Sequence, residues 1–161
     1  MKISNLKEVP HFANTVADRG WHAWWTESGV SLEQYRSPLD AMIEGDGIPL
    51  CLVAHEEDIY LGSVLVIDDD LEARPDYAPW IAALWVEAQA RHKGIASRLL
   101  EAARAEAVRL GTDACYLCAT ADKTDFYRAR GFELIETDVS GLNVFRIRDC
   151  DCRPRAIVPL S

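Results

Sequence analysis

What the chain lacks narrows what it can be. None of its 161 residues fall in a run approaching the roughly 18 apolar residues that a membrane helix needs. The opening Met1-Lys2-Ile3-Ser4-Asn5-Leu6-Lys7-Glu8 has no apolar stretch like that of a secretory signal, so a cytoplasmic protein without a membrane partner is expected. The five cysteines are too few, and odd in number, for a disulfide framework. Cys115 and Cys118 form a CxxC pair and Cys150 and Cys152 a CxC pair, a set of four thiolates that zinc would accept. Cys115-Tyr116-Leu117-Cys118, however, lies in an apolar run that reads as a strand, where residues three apart face opposite ways. Ordinary thiols and no metal are expected. Positive charge is also short: 17 Lys and Arg stand against 26 Asp and Glu, a formal net charge of −9. Phosphate contacts need a basic face, so the charge argues against a nucleic-acid partner, and none is expected. The acidic excess suits a cationic substrate or simple solubility.

No repeat, low-complexity stretch or linker divides the chain, and its length fits one domain on the prior of roughly 100–200 residues. Pro10 starts a short helix over His11 to Asp18. The aromatic Gly20-Trp21-His22-Ala23-Trp24-Trp25 reads as a loop or short helix. Ser31-Leu32-Glu33-Gln34 fits a capping box whose helix runs to about Ile43 unless Pro38 breaks it. Leu50 to Ala54 and Ile59 to Ile67 then read as an antiparallel hairpin turned at His55-Glu56-Glu57-Asp58. Trp80 to Val86 is nearly all apolar, which predicts a strand buried on both faces and central in a sheet. Ala96, Leu99, Leu100, Ala103, Ala107 and Leu110 recur at three- and four-residue spacings, the mark of an amphipathic helix closed by Gly111. A strand over Ala114 to Ala119 and a helix over Lys123 to Arg130, ended by Gly131, follow. Strands over Phe132 to Thr137 and Leu142 to Ile147, turned at Ser140-Gly141, complete an α/β pattern with a mixed sheet.

The junction Val86-Glu87-Ala88-Gln89-Ala90-Arg91-His92-Lys93-Gly94-Ile95-Ala96-Ser97 carries the chemistry. It sets a basic, glycine-containing loop between a buried strand and a helix. The first helical turn leaves backbone N–H groups without intrahelical partners, and the aligned peptide dipoles add about half a positive charge. Gly94 and the small Ala96 let an anion approach that backbone, a geometry suited to a pyrophosphate. Arg91, His92 and Lys93 add side-chain charge. A solvated basic turn has the same composition, so the electrostatics alone do not separate the two. Neither G-x-G-x-x-G nor G-x-x-x-x-G-K-[ST] is present, and Lys93 precedes its glycine, which argues against a dinucleotide or ATP module.

The spelling of three segments goes further. Arg91-His92-Lys93-Gly94-Ile95-Ala96 fits the pattern Arg/Gln-x-x-Gly-x-Gly/Ala. Arg74-Pro75-Asp76-Tyr77-Ala78-Pro79-Trp80 fits RPD-x-x-PW, and Phe126-Tyr127-Arg128-Ala129-Arg130-Gly131-Phe132 fits an FY-x-x-x-GF ending. On these motifs the chain from about Leu50 to Phe145 resembles the GNAT superfamily of acyltransferases. The resemblance implies a mixed, mostly antiparallel central sheet flanked by helices. It implies variable substrate-side helices over 1–48, an acyl-CoA-binding core over 49–147 and a tail over 148–161, with acetyl-CoA as co-substrate. Carried over by position, the backbone of Leu84, Trp85 and Val86 pairs with the pantetheine amides. The N–H groups from His92 through Lys93, Gly94, Ile95 and Ala96 to Ser97, behind Arg91, cradle the pyrophosphate. Tyr127 lies near the thioester sulfur. The pattern departs at Thr120-Ala121-Asp122, where the family often has an Asn that reaches the pantetheine arm.

The activity so implied is transfer of an acetyl group to an amine of a small molecule or peptide, with Tyr127 as general acid at the leaving sulfur. A primary amine, with an unperturbed pKa of about 10.4, must first lose a proton. Candidate bases are Glu27, Asp69, Asp70, Glu72, Asp76 and Glu87, with a water relay an equal alternative. Trp21, Trp24, Trp25 and Tyr35, with Glu27, are candidates for an aromatic pocket around an ammonium group, or else belong to the core or to a homodimer surface. The competing reading is a non-catalytic acyl-CoA-binding or sensor protein on the same fold.

Overall fold

The structure, a computed structural model, describes residues 1–148. Its seven strands form one mixed sheet in the order β1-β2-β3-β4-β5-β7-β6, flanked by helices. The strands are β1 (Lys2–Asn5), β2 (Leu50–Glu56), β3 (Ile59–Ile67), β4 (Trp80–Val86), β5 (Ala114–Ala119), β6 (Glu133–Val139) and β7 (Leu142–Arg148). The helices are α1 (Ala13–Trp24), α2 (Leu32–Arg36), α3 (Pro38–Glu44), α4 (Ile95–Arg109) and α5 (Thr124–Arg128). The mixed, mostly antiparallel sheet expected from the sequence is present: β4 and β5 are parallel, and the registered pairs β1/β2, β2/β3, β5/β7 and β6/β7 are antiparallel. No helix among the described residues is long and apolar enough to cross a membrane. The chain clusters into two compact units, Met1–Val66 with Ala83–Ala103, and Ile67–Ala82 with the chain from Arg104.

In the first unit, α1 follows a 3-10 turn begun by Pro10 and buries Ala13, Val16, Ala17 and Gly20 along one stripe. The sequence pattern predicts an end near Asp18, but the helix continues through the aromatic segment to Trp24. The Tyr35 ring of α2 packs against Gly20, where a Cβ would lie 2.3 Å from its hydroxyl and the ring would have to shift. The capping box is formed, with Gln34 N–H donating to Ser31 Oγ at 3.1 Å and Ser31 N–H to Gln34 Oε1 at 2.8 Å. Pro38 does interrupt the predicted helix, and becomes the first residue of α3. β2 and β3 form the expected hairpin, turned at Glu57 with φ 51. β1 is not predicted by the sequence pattern: its four mostly polar residues show no alternation, yet Lys2 to Asn5 pair with His55 to Leu52.

In the second unit, Trp80 of β4 lies opposite Tyr116 of β5. Leu71, Trp80, Val139 and Val144 form a buried cluster on which Tyr77, Tyr116 and Cys118 pack. The RPD-x-x-PW segment is held there by polar contacts. Arg74 Nε donates to both oxygens of Glu136 at 3.0 and 2.9 Å, and the Tyr77 hydroxyl donates to the same carboxylate at 2.6 Å. α4 ends as its sequence predicts. Gly111 takes φ 98, with Thr112 N–H bonded to Ala107 C=O and Gly111 N–H to Val108 C=O, a Schellman motif.

Cys115 is 1% exposed and Cys118 half-buried on β5, and all three described cysteines are free thiols. Among the described residues no group of three or more His, Cys, Asp or Glu is placed to hold a metal ion. Cys150 and Cys152, and the predicted tail apart from Arg148, lie outside the described residues.

Candidate active site

β4 leaves the sheet at Val86. Glu87 follows, then a 3-10 turn over Ala88–Ala90, then the exposed Arg91, His92, Lys93 and Gly94, then α4. Buried Ala90 and Ile95 anchor the two sides of this exposed loop, and Leu99, Leu100, Ala103 and Ala107 bury the face of α4. His92 and Gly94 both take left-handed backbone conformations, with φ 64 and 81. The one at Gly94 incurs no Cβ penalty. Gly94 C=O accepts the N–H of Arg98 at 3.1 Å and so closes the first turn of the helix. The N–H groups of the next residues then point out of the helix start, as any first turn requires. α4 runs for 15 residues, long enough for a developed dipole, and no acidic residue occupies its first turn.

The strand beneath is irregular. Ala83 has φ 53 in the middle of β4, and residues 82–85 are half-buried where the sequence predicted burial on both faces. β3 approaches the end of β4 through Gly62, where a Cβ would meet Trp85 C=O at 2.6 Å and Val86 Cα at 3.2 Å. The N–H of Glu87 donates to Leu61 C=O at 2.8 Å. Arg91 folds back: its Nε donates to Val86 C=O at 2.8 Å, and its guanidinium lies 4.8 Å from the centre of the Trp85 ring. Leu84, Trp85, Val86 and the segment from Arg91 to Ser97 thus form one strand–turn–helix feature of the first unit.

Tyr127 belongs to the second unit. It is half-buried on α5, with ring centres 5.0 Å from Phe126, 5.9 Å from Phe132 and 5.5 Å from Phe145. Burial pushes its hydroxyl above the ordinary tyrosine pKa of 10, so it holds its proton at neutral pH. The start of α5 is tied to β7 by Asn143 Nδ2 donating to Thr124 Oγ1 at 3.1 Å. Its end is fixed by Gly131 at φ 93, with Phe132 N–H bonded to Tyr127 C=O at 3.1 Å.

The six candidate carboxylates differ. Glu87 is held by Arg19 and Trp85. Asp70, an exposed residue, accepts a hydrogen bond from Cys118 Sγ at 3.4 Å, and local desolvation holds its carboxyl above the ordinary range. Glu27, Asp69, Glu72 and Asp76 are exposed, as a solvated carboxylate is.

The aromatic candidates are not core residues. Trp24 is 51% exposed and meets Trp85 edge-on at 6.3 Å, and Trp25, 39% exposed, lies 5.7 Å from Tyr35. Trp21 spends its indole N–H on Val30 C=O at 2.7 Å. A cavity of about 10 Å³, at the lower limit for one water, lies among Val16, Gly20, Tyr35, Ala83 and Trp85. Arg19 and the left-handed Ala83 carry no signal in the local sequence pattern. Arg19 meets Glu87 across 68 positions, a separation no local pattern encodes.

The family model of the acetyltransferase (GNAT) domain matches residues 48–134. No curated protein matches the chain. Among solved structures, the chain is similar to an aminoglycoside 6'-N-acetyltransferase complexed with coenzyme A, at 16% identity and TM-score 0.70, covering 92% of this chain and 97% of that one. It is similar to the aminoglycoside 6'-N-acetyltransferase from Enterococcus faecium, at 16% identity and TM-score 0.68, with coverage of 92% and 97%. A third is an acyl-CoA N-acyltransferase from Pseudomonas aeruginosa, at 20% identity and TM-score 0.62, with coverage of 91% and 97%. At these identities what is shared is the fold.

Proposed function

Because the chain belongs to the acetyltransferase (GNAT) domain family, we propose that it is a cytoplasmic N-acetyltransferase that moves an acetyl group from acetyl-CoA directly to an amine. The observation that carries this reading is the loop from Arg91 to Gly94 at the start of α4. The loop is exposed, its backbone turns left-handed at His92 and Gly94, and it sets three basic side chains directly before the helix. Backbone N–H groups and the helix dipole there favour a doubly charged pyrophosphate. The backbone of half-buried Leu84 and Trp85 and of buried Val86 supplies N–H and C=O groups for the amides of the pantetheine arm, as a neighbouring strand would.

In the reaction so proposed, the amine nitrogen attacks the thioester carbonyl carbon, the carbon–sulfur bond breaks, and the sulfur leaves with its electron pair. The Tyr127 hydroxyl, kept protonated by burial, gives its proton to that sulfur. The proton lost by the amine goes to a carboxylate or a bound water. Asp70 suits that task better than Glu87, because its pKa is moved toward neutrality while that of Glu87 is moved away. The acceptor is an amine of a small molecule or peptide. The excess of acidic residues and the exposed Trp24 and Trp25 favour a cationic one.

The test is release of free thiol from acetyl-CoA across a panel of polyamines, aminoglycosides, amino acids and peptides. Saturable turnover with one amine class is the expected result. Binding of acetyl-CoA without turnover on any amine would instead favour a non-catalytic acyl-CoA sensor.

A further inference from the structure

Glu87 sits one residue beyond β4, and its side chain is only 13% exposed. Two N–H donors converge on its carboxylate. Arg19 Nε, from α1, reaches both oxygens at 3.0 and 2.9 Å, and Trp85 Nε1 reaches Oε2 at 2.9 Å. Burial pushes the carboxyl pKa up, but the hydrogen bonds from Arg19 and Trp85 and the charges of Arg19 and Arg91 outweigh it and leave the pKa below the usual 4.5. A carboxylate so held is a weakened base whose oxygens are already engaged, which makes it a poor acceptor for the proton of an ammonium. Its contacts lead elsewhere. The Trp85 ring that Glu87 holds by its N–H is the ring on which the Arg91 guanidinium rests. Arg91 in turn is pinned to Val86 C=O. One carboxylate therefore connects α1 to the basic loop through an unbroken series of polar and cation–π contacts.

We propose that Glu87 is a positioning residue for acyl-CoA binding, with Arg19 as its counter-ion. By fixing the Trp85 indole it fixes Arg91, so that the loop meets a pyrophosphate in one arrangement instead of several. The proposal rests on the reading of Arg91 to Ser97 as the pyrophosphate site. It makes α1, otherwise a substrate-side helix, part of what holds the acyl-CoA side in place.

The experiment is calorimetric titration of coenzyme A into the wild type, Glu87→Gln, Arg19→Met and the double variant, with KM for acetyl-CoA, kcat and Tm for each. Each single variant is expected to raise the coenzyme A Kd and the acetyl-CoA KM about tenfold, the scale of a modest loss of preorganisation. The double variant should be no worse than the poorer single, because the two residues act as one unit. Turnover at saturating acetyl-CoA should stay within about twofold, a split that simple loss of folded protein does not produce. Kd values within twofold of wild type would overturn the proposal, as would independent penalties that multiply to about a hundredfold in the double variant. A hundredfold fall in kcat at saturation would overturn it too, since that is the signature of a lost base. Should Glu87→Gln fail to fold, Trp85→Phe keeps a ring under Arg91 but removes the N–H that Glu87 holds, and should raise Kd about threefold. An unchanged Kd there overturns the proposal. A wild type that does not bind coenzyme A overturns the loop reading itself, and that outcome is distinct from a wild type that binds while its variants are unaffected.

Discussion

Replacing Gly62 by alanine tests the packing under the site, because two effects predict opposite signs. Gly62 lies within β3, and its φ is not in the left-handed region that alanine avoids. On conformational entropy alone, Gly62→Ala should stabilise the protein by about 0.4–1 kcal/mol. The structure predicts the reverse. The new Cβ would lie 2.6 Å from Trp85 C=O, about 0.4 Å inside the 3.0 Å that real Cβ atoms keep, and 3.2 Å from Val86 Cα. Both are backbone atoms of β4, so no side-chain rotation relieves the contact, and Leu99 Cδ1 closes the remaining side at 3.3 Å. Overpacking against backbone falls in the upper part of the usual range, about 2–3 kcal/mol, so after the entropy gain a net destabilisation of about 1–2.5 kcal/mol remains. For a chain of this size that lowers Tm by about 2–10 °C. The strand would move at Trp85 and Val86, so coenzyme A binding should weaken along with stability. Thermal unfolding and titration with coenzyme A read both. A Tm equal to or above wild type would show that β3 and β4 are not in the close contact described.

Three further outcomes are expected. Ser31→Ala removes the cap of α2 and should cost about 1 kcal/mol, seen as a Tm lower by about 2–4 °C with acetyl-CoA binding unchanged; an unchanged Tm would refute the cap's contribution. Hydrogen bonds from Arg74 and then Tyr77 hold the Glu136 carboxyl down to about 2 from an ordinary 4.5. A carboxylate lowered in the folded state stabilises above its unfolded pKa and loses that contribution as pH falls from 4.5 toward 2, so wild-type Tm should drop more steeply over that window than that of Glu136→Gln. Parallel curves would contradict it. Desolvation, reinforced by Asp70, pushes the Cys118 thiol up to about 12, and burial pushes Cys51 to about 12 and Cys115 to about 11. In a Cys150→Ser, Cys152→Ser background a thiol reagent at about pH 8 should therefore find no fast-reacting group, and one stoichiometric fast thiol would refute this.

Strands rich in apolar residues were legible to the residue: Ile59–Ile67, Trp80–Val86 and Ala114–Ala119 begin and end where the sequence places them. Punctuation was legible too, since the Ser31–Gln34 box, Pro38 and Gly111 each act where they stand. What could not be read depends on partners remote in the chain. β1 exists because an edge of β2 accepts its backbone, not because Lys2–Asn5 has strand periodicity. α1 passes through Gly20, a poor helix former, and the Tyr35 ring, remote in sequence, packs into the space a Cβ there would fill. Of the site, the loop from Arg91 to Ser97 was visible as charge and glycine, and Tyr127 by the aromatic pattern around it. The occupation of Glu87 by Arg19 was invisible, and with it the reason to set Glu87 aside as a base.

Acyl transfer assisted by Tyr127 is tested by acetyl-CoA turnover with the best amine of the panel in wild type and Tyr127→Phe, beside coenzyme A affinity for both. The variant is expected to bind coenzyme A as wild type does, because the proposed pyrophosphate loop contains no part of Tyr127, while its kcat falls by about 10²-fold or more, the lower edge of general acid catalysis. Equal kcat in the two proteins would contradict the role of Tyr127. Absence of turnover in the wild type on every amine would contradict the transferase reading.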